Sequence, residues 1–175
     1  MKEHLGRFLN SHLIDPSEPI TAWRSWRLSS RRRWYRPDCW LYSTWKWEEW
    51  PIVGMVARCH PEGRRKCNLV MKEDCSCGVW ATKTLIHLAE HGSFGMYPVC
   101  VFGQVTLYGL VHEYERGFRA GFGKPKNIWL GTSFGQKHAD ILAAHYSIPV
   151  YLGFPDGVFE TVVYTKETAN EQTIY

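Results

Sequence analysis

Four cysteines fall within residues 59–77, spaced Cys59-x7-Cys67-x7-Cys75-x-Cys77 and followed directly by Gly78. Thiolates are soft ligands, and four of them suit the tetrahedral shell of zinc. Glycine after the last cysteine lets the backbone turn and leaves amide donors for the sulfurs. The residues between the cysteines are highly charged, so a metal would supply the cohesion that apolar packing does not. His60, beside the first cysteine, is a substitute ligand. A shell of four thiolates is closed, which implies structural rather than catalytic zinc. The competing reading is free thiols on neighbouring strands, since one Cys-x-Cys pair is less diagnostic than Cys-x-x-Cys. Cys39 and Cys100 lie in apolar runs and read as core.

A second signal lies upstream. Six arginines and no carboxylate occur between Arg24 and Arg36, and seven of the nine tryptophans lie between Trp23 and Trp50. Guanidinium forks bind phosphate and aromatic rings stack on unpaired bases. Arg24, Arg27, Arg31, Arg32, Arg33 and Trp34 are therefore the candidate surface for nucleic acid or a nucleotide. An acidic host protein is the alternative partner, met by a protein–protein inhibitor or adaptor. A plain solvated rim is the third reading, and most of the tryptophans must pack in any case.

The third group is Glu113, Glu115 and Arg119 near a strand end, where paired carboxylates and a guanidinium are weak candidates for acid/base work. Ordinary salt bridges are the better reading, and no known catalytic signature occurs, so the chain reads as a binder more than an enzyme. The loop at residues 131–135 precedes a helix but lacks the phosphate-loop pattern. His138 and His145 share a helix face without a third ligand nearby.

These groups need elements to position them. Residues 99–111 alternate over their whole length, with valines and Leu107 on one face, and predict a long strand bent at Gly103 and Gly109. Residues 21–28, 39–47 and 52–59 read as shorter strands. A helix is expected over residues 82–91, stopped by Gly92. Residues 113–123 read as a polar turn and a returning strand that ends near Pro125. A new strand at 127–130, a helix at 136–146 and a strand at 149–152 form a βαβ-like unit. Residues 1–20 read as a helix or arm with a loop, and 166–175 as a polar tail.

The chain has 175 residues, 45% hydrophobic and 22% charged, with a net charge of +4. Those values fit one globular domain, taken as residues 1–165 with the insert 59–77 inside it. No run approaches the roughly 18 apolar residues of a membrane span, and no signal peptide is read, so a cytoplasmic location is expected.

Ala22-Trp23-Arg24-Ser25-Trp26-Arg27, Cys75-Ser76-Cys77-Gly78, the Gly-rich strand 103–113 ending in Glu113, and Gly117-Phe118-Arg119-Ala120 together resemble a group of small uncharacterised bacterial and phage proteins. The likeness spans about residues 20–152. It implies one domain of phage or mobile-element origin and draws attention to Glu113, Arg116 and Arg119, without implying an activity. The expectation is thus an α+β fold: a bent, mainly antiparallel, barrel-like sheet with two helices, a zinc-held insert and a C-terminal βαβ-like unit.

Overall fold

A computed structural model describes residues 12–14, 18–29, 39–44, 48–59, 71, 75, 77–90, 101–131 and 133–155. The basic loop at 30–38, most of the insert, Cys100 and the tail lie outside the described residues.

The frame is a long antiparallel ribbon of β6 (Val101–Glu113) and β7 (Gly117–Leu130). It is paired from Val101↔Leu130 to Glu113↔Phe118 and closed by a turn in which the Tyr114 amide donates to the Gly117 carbonyl at 2.8 Å. The alternation of β6 builds it: Val101, Val105, Leu107 and Val111 are fully buried on one face. On the other edge of β6 lies β2 (Ile20–Ser29), which also carries β3 (Trp40–Ser43). β5 (Val79–Thr82) pairs with the first part of β7 and touches β2 through Trp23↔Thr82. Strands β2, β6, β7 and β5 therefore curl into a partial ring rather than a true barrel, because a single residue pair links β5 to β2.

Two short strands add to the edges: β1 (His12–Ile14) on β6 and β4 (Met55–Val56) on β7. Part of the expected N-terminal arm or loop is thus a strand. β4 is shorter than read because Pro51 to Gly54 form a tight turn, with Gly54 at φ +111.

Pro125 does not end the returning strand. β7 runs through it because the register shifts between Gln104 and Val105, leaving Lys126 as the extra residue between Pro125 and Asn127. A bulge is where a strand tolerates a residue without an amide hydrogen. The Asn127 side chain mends the break: its Oδ1 accepts from the Gln104 amide at 3.0 Å, and its Nδ2 donates to Gln104 Oε1 at 2.9 Å. The backbones are so close here that a Cβ on Gly103 would lie 2.1 Å from the Asn127 carbonyl oxygen.

Helix α1 (Leu85–Glu90) is shorter than expected. Thr82 is claimed by the sheet, its hydroxyl donating to the Trp23 carbonyl at 3.2 Å. Thr84 caps the helix instead, accepting from the His87 amide at 3.1 Å. The C-terminal unit forms as read: α2 (Gln136–Tyr146) carries the chain from β7 to β8 (Val150–Leu152), which pairs with β7 in parallel.

The main core lies inside the ring and under α2, around Trp26, Trp50, Leu41, Ile128 and Leu142. Trp26 and Trp50 meet edge to face at 5.5 Å, a geometry worth about 1 kcal/mol beyond the area they bury. Tyr146 locks α2 to this core. Its hydroxyl accepts from the Leu41 amide at 3.0 Å and donates to the Trp50 carbonyl at 2.9 Å. Burial raises its pKa far above the ordinary phenol range. Among the described residues no helix is long and apolar enough to cross a membrane.

Candidate functional site

Three cysteines meet against the outside of the ring. Cys59 arrives from β4, where the Ala57 amide donates to the Gly121 carbonyl at 2.7 Å and keeps the chain along β7. Cys75 and Cys77 immediately precede β5. The sulfurs of Cys59, Cys75 and Cys77 all lie within 4.8 Å of one another, close enough to bind a metal ion. Cys59 Sγ and Cys75 Sγ are 3.8 Å apart. Cys77 is buried and the other two are half-buried.

Backbone amides already point at the sulfurs. The Cys77 amide donates to Cys75 Sγ at 3.3 Å, and the Met71 amide donates to Cys77 Sγ at 3.2 Å. Donors of this kind stabilise thiolate charge and orient ligands. Gly78 makes the turn possible. Its φ is +138, and a Cβ there would lie 2.5 Å from Arg119 Cγ and 2.8 Å from Met71 Sδ.

Below the cysteines is a small buried polar layer on the outer face of the sheet. Arg119, 1% exposed, donates from Nη1 to the Cys75 carbonyl. Its guanidinium lies 5.6 Å from the Trp80 ring and 6.0 Å from the Tyr114 ring, and those rings stack at 5.3 Å. Across the ribbon from Arg119 sits buried His112, whose Nε2 is 2.9 Å from the Met71 carbonyl. A carbonyl only accepts, so that nitrogen carries a hydrogen. A guanidinium and an imidazole thus hold the carbonyls of Cys75 and Met71.

Cys67 and His60 lie outside the described residues, as do Arg31, Arg32, Arg33 and Trp34. Arg24 does not face solvent as a phosphate ligand would. Its strand parity places it with Ala22 and Trp26 on the inner face. There it donates to the Trp80 carbonyl and to Ser43 Oγ at 3.1 Å, and lies 4.9 Å from the Trp50 ring. No carboxylate pairs with it among the described residues, and burial lowers its pKa to about 10. Arg27 has the opposite parity and shares the outer face with Trp23.

The three residues first grouped as an acid/base candidate separate. Glu113 pairs with Lys83 at 2.6 Å, and its partner across the ribbon is Phe118. Arg119 projects from the other face of the ribbon, and Glu115 is exposed in the turn. The alternation of the strand, not its sequence neighbours, decides which of these can meet. Arg116 pairs with Glu90 at 2.8 Å on the surface. On α2, His138 Nδ1 accepts from the Gly135 amide at 3.4 Å, and His145 packs against Trp40 at 4.0 Å.

The register also assembles a surface that sequence reading missed. Rows cross the outer face of β2, β6, β7 and β8: Thr21, Thr106 and Lys124; Trp23, Gln104 and Asn127; Ser25, Phe102, Trp129 and Tyr151. Lys126, in the bulge, reaches Thr21 Oγ1 at 3.1 Å on the same face. None of these strand residues is acidic. Trp129 and Tyr151 are more than twenty residues apart in sequence, and the parallel pairing of β7 with β8 is what brings them together. Comparison with protein-family models, with curated proteins and with solved structures finds no match.

Proposed function

We propose that the chain is a zinc-stapled binding module for nucleic acid. The observation that carries the zinc is the 3.8 Å separation of Cys59 Sγ and Cys75 Sγ. A tetrahedron with Zn–S bonds of about 2.3 Å has sulfurs about 3.8 Å apart along each edge. Cys67, eight residues from both Cys59 and Cys75 in sequence, is the fourth thiolate in this reading. Four thiolates on a divalent ion leave a net negative centre, and buried Arg119 beside Cys75 supplies the compensating charge. The metal's work is structural: it ties Cys59 to Cys75 and Cys77 beside Arg119.

The ligand reading rests on the outer sheet face. Lys124, Lys126 and Arg27 stand with Trp23 and Trp129 on strands that contribute no carboxylate there. Cationic groups interleaved with aromatic rings favour a polyanion whose bases stack. The Arg-rich segment beyond β2 adds to the same electrostatic attraction.

Two measurements test this on the untagged full chain. Elemental mass spectrometry should find one zinc per chain; a chain that folds with no bound metal overturns the staple. Binding of a labelled oligonucleotide should weaken linearly in log affinity against log salt. No binding at low salt, with an acidic protein captured instead, overturns the nucleic-acid reading and favours the adaptor.

A further inference from the structure

We infer that the aromatic file Trp23, Trp129 and Tyr151 is a stacking site for the unpaired bases of a single strand, with Lys124 and Lys126 beside it for the phosphates. The inference rests on the nucleic-acid reading above and names the form of ligand and the place.

Trp23 and Trp129 lie 5.4 Å apart at 36°, and Trp129 and Tyr151 lie 5.2 Å apart at 29°. Trp129 and Tyr151 therefore stack, and Trp23 stands tilted against Trp129, along the outer face of the sheet. At one flank the stack is anchored: fully buried Phe102 meets Trp129 at 6.1 Å and is covered by Leu85, Leu88 and Phe154. At the other it is open. Tyr151 sits on the short edge strand β8, is 47% exposed, and among the described residues has Trp129 as its one ring neighbour. Among the described residues this stack ends on half-exposed Tyr151 at the sheet edge, where one more planar ring would extend it.

The ring that fits is an unpaired base. A duplex hides its base faces in its own stack, so it offers no face to Tyr151, whereas every base of a single strand does. Lys126 and Lys124 precede Trp129 by three and five residues on β7, which places them roughly 10 and 17 Å along the strand from it. Both are exposed, on the same face of the sheet, which carries no strand carboxylate.

The test is a titration of the full-length protein with oligothymidylate and with a duplex of equal length, read by quenching of tryptophan fluorescence. The expected result is quenching by the single strand, weaker binding of the duplex, and a loss of roughly ten-fold or more in affinity for Tyr151→Ala. Tyr151→Phe should bind like the wild type. Because Tyr151 is half exposed, both variants should keep the wild-type melting temperature. Lys126→Ala should reduce the salt slope by about one. If Tyr151→Ala binds as tightly as the wild type while Lys126→Ala is weakened, the stacking site is wrong and nucleic-acid binding stands. Tighter binding of the duplex overturns the single-strand assignment. If neither oligonucleotide binds at low salt, the underlying reading fails and this inference with it.

Discussion

Arg119 Nη1 donates to the backbone carbonyl of Cys75, so a fully buried guanidinium on β7 grips the turn that presents two thiols. The bond joins the ring to the insert, and it does so beneath the Trp80 and Tyr114 rings, where water cannot compete. The cysteine cluster is thus seated on the sheet through one cation, as well as through its own sulfurs.

Lysine cannot replace that grip. It lacks the planar fork that bonds a carbonyl while lying against two rings. Arg119→Lys should lower metal affinity by about 10- to 100-fold, the usual effect of losing a supporting partner behind the ligands. Competition with a chromophoric chelator reads this directly. An unchanged affinity would mean that the bond merely packs the insert.

Gly78 should be as sensitive as the cysteines themselves. At φ +138 an L side chain is strained, and its Cβ would collide with Arg119 Cγ and Met71 Sδ. Gly78→Ala should cost about 2 kcal/mol or more in chemical denaturation. Gly121→Ala is the control, since the nearest atom to its Cβ is at 3.7 Å. Equal stability of the two variants would refute the close approach.

The long strand read over residues 99–111 and described as β6 at Val101–Glu113, the crossover from β7 through α2 to β8, and the convergence of Cys59, Cys75 and Cys77 were legible in sequence, because each follows from local periodicity or spacing. What was not legible depends on register. Pro125 looks like a strand end until the bulge at Lys126 and the Asn127 side chain absorb it. Arg24 and Arg27 look alike until strand parity sends one inward and the other outward. Glu113 and Arg119 look like partners until the ribbon places them on opposite faces. The ladder of Trp23, Trp129 and Tyr151 is drawn from three strands and has no local signature at all.

Arg24 gives a prediction of its own. Its folded pKa of about 10 lies below the ordinary guanidinium range, so burying the cation costs stability. That cost is fully present below pH 10 and is relieved as pH rises from there towards the ordinary guanidinium range. Its bonds to Ser43 and Trp80 offset it near neutrality. Arg24→Met keeps the volume and removes both the charge and the bonds. Its stability at pH 7 should fall by about 1–3 kcal/mol, because the Trp80 carbonyl and the Ser43 hydroxyl lose their donor. Oligonucleotide affinity should be unchanged. A loss of binding in a folded Arg24→Met protein would show that the inward arginine nonetheless serves the ligand.

His145 sets an acid limit on the same core. Burial against Trp40 lowers its pKa below 6.5, and the charge of Glu49 only partly restores it. The folded state therefore binds this proton less readily than the unfolded state does. Stability is retained above pH 6.5 and lost as pH falls from there through the folded pKa. Replacing the imidazole by a neutral ring of similar size removes the proton and keeps the contact with Trp40. Denaturation midpoints at pH 7 and pH 5 should thus differ less for His145→Phe than for the wild type. An equal difference in the two proteins would place the acid sensitivity elsewhere, with the cysteine centre the first group to examine, because protons compete with metal for thiolates.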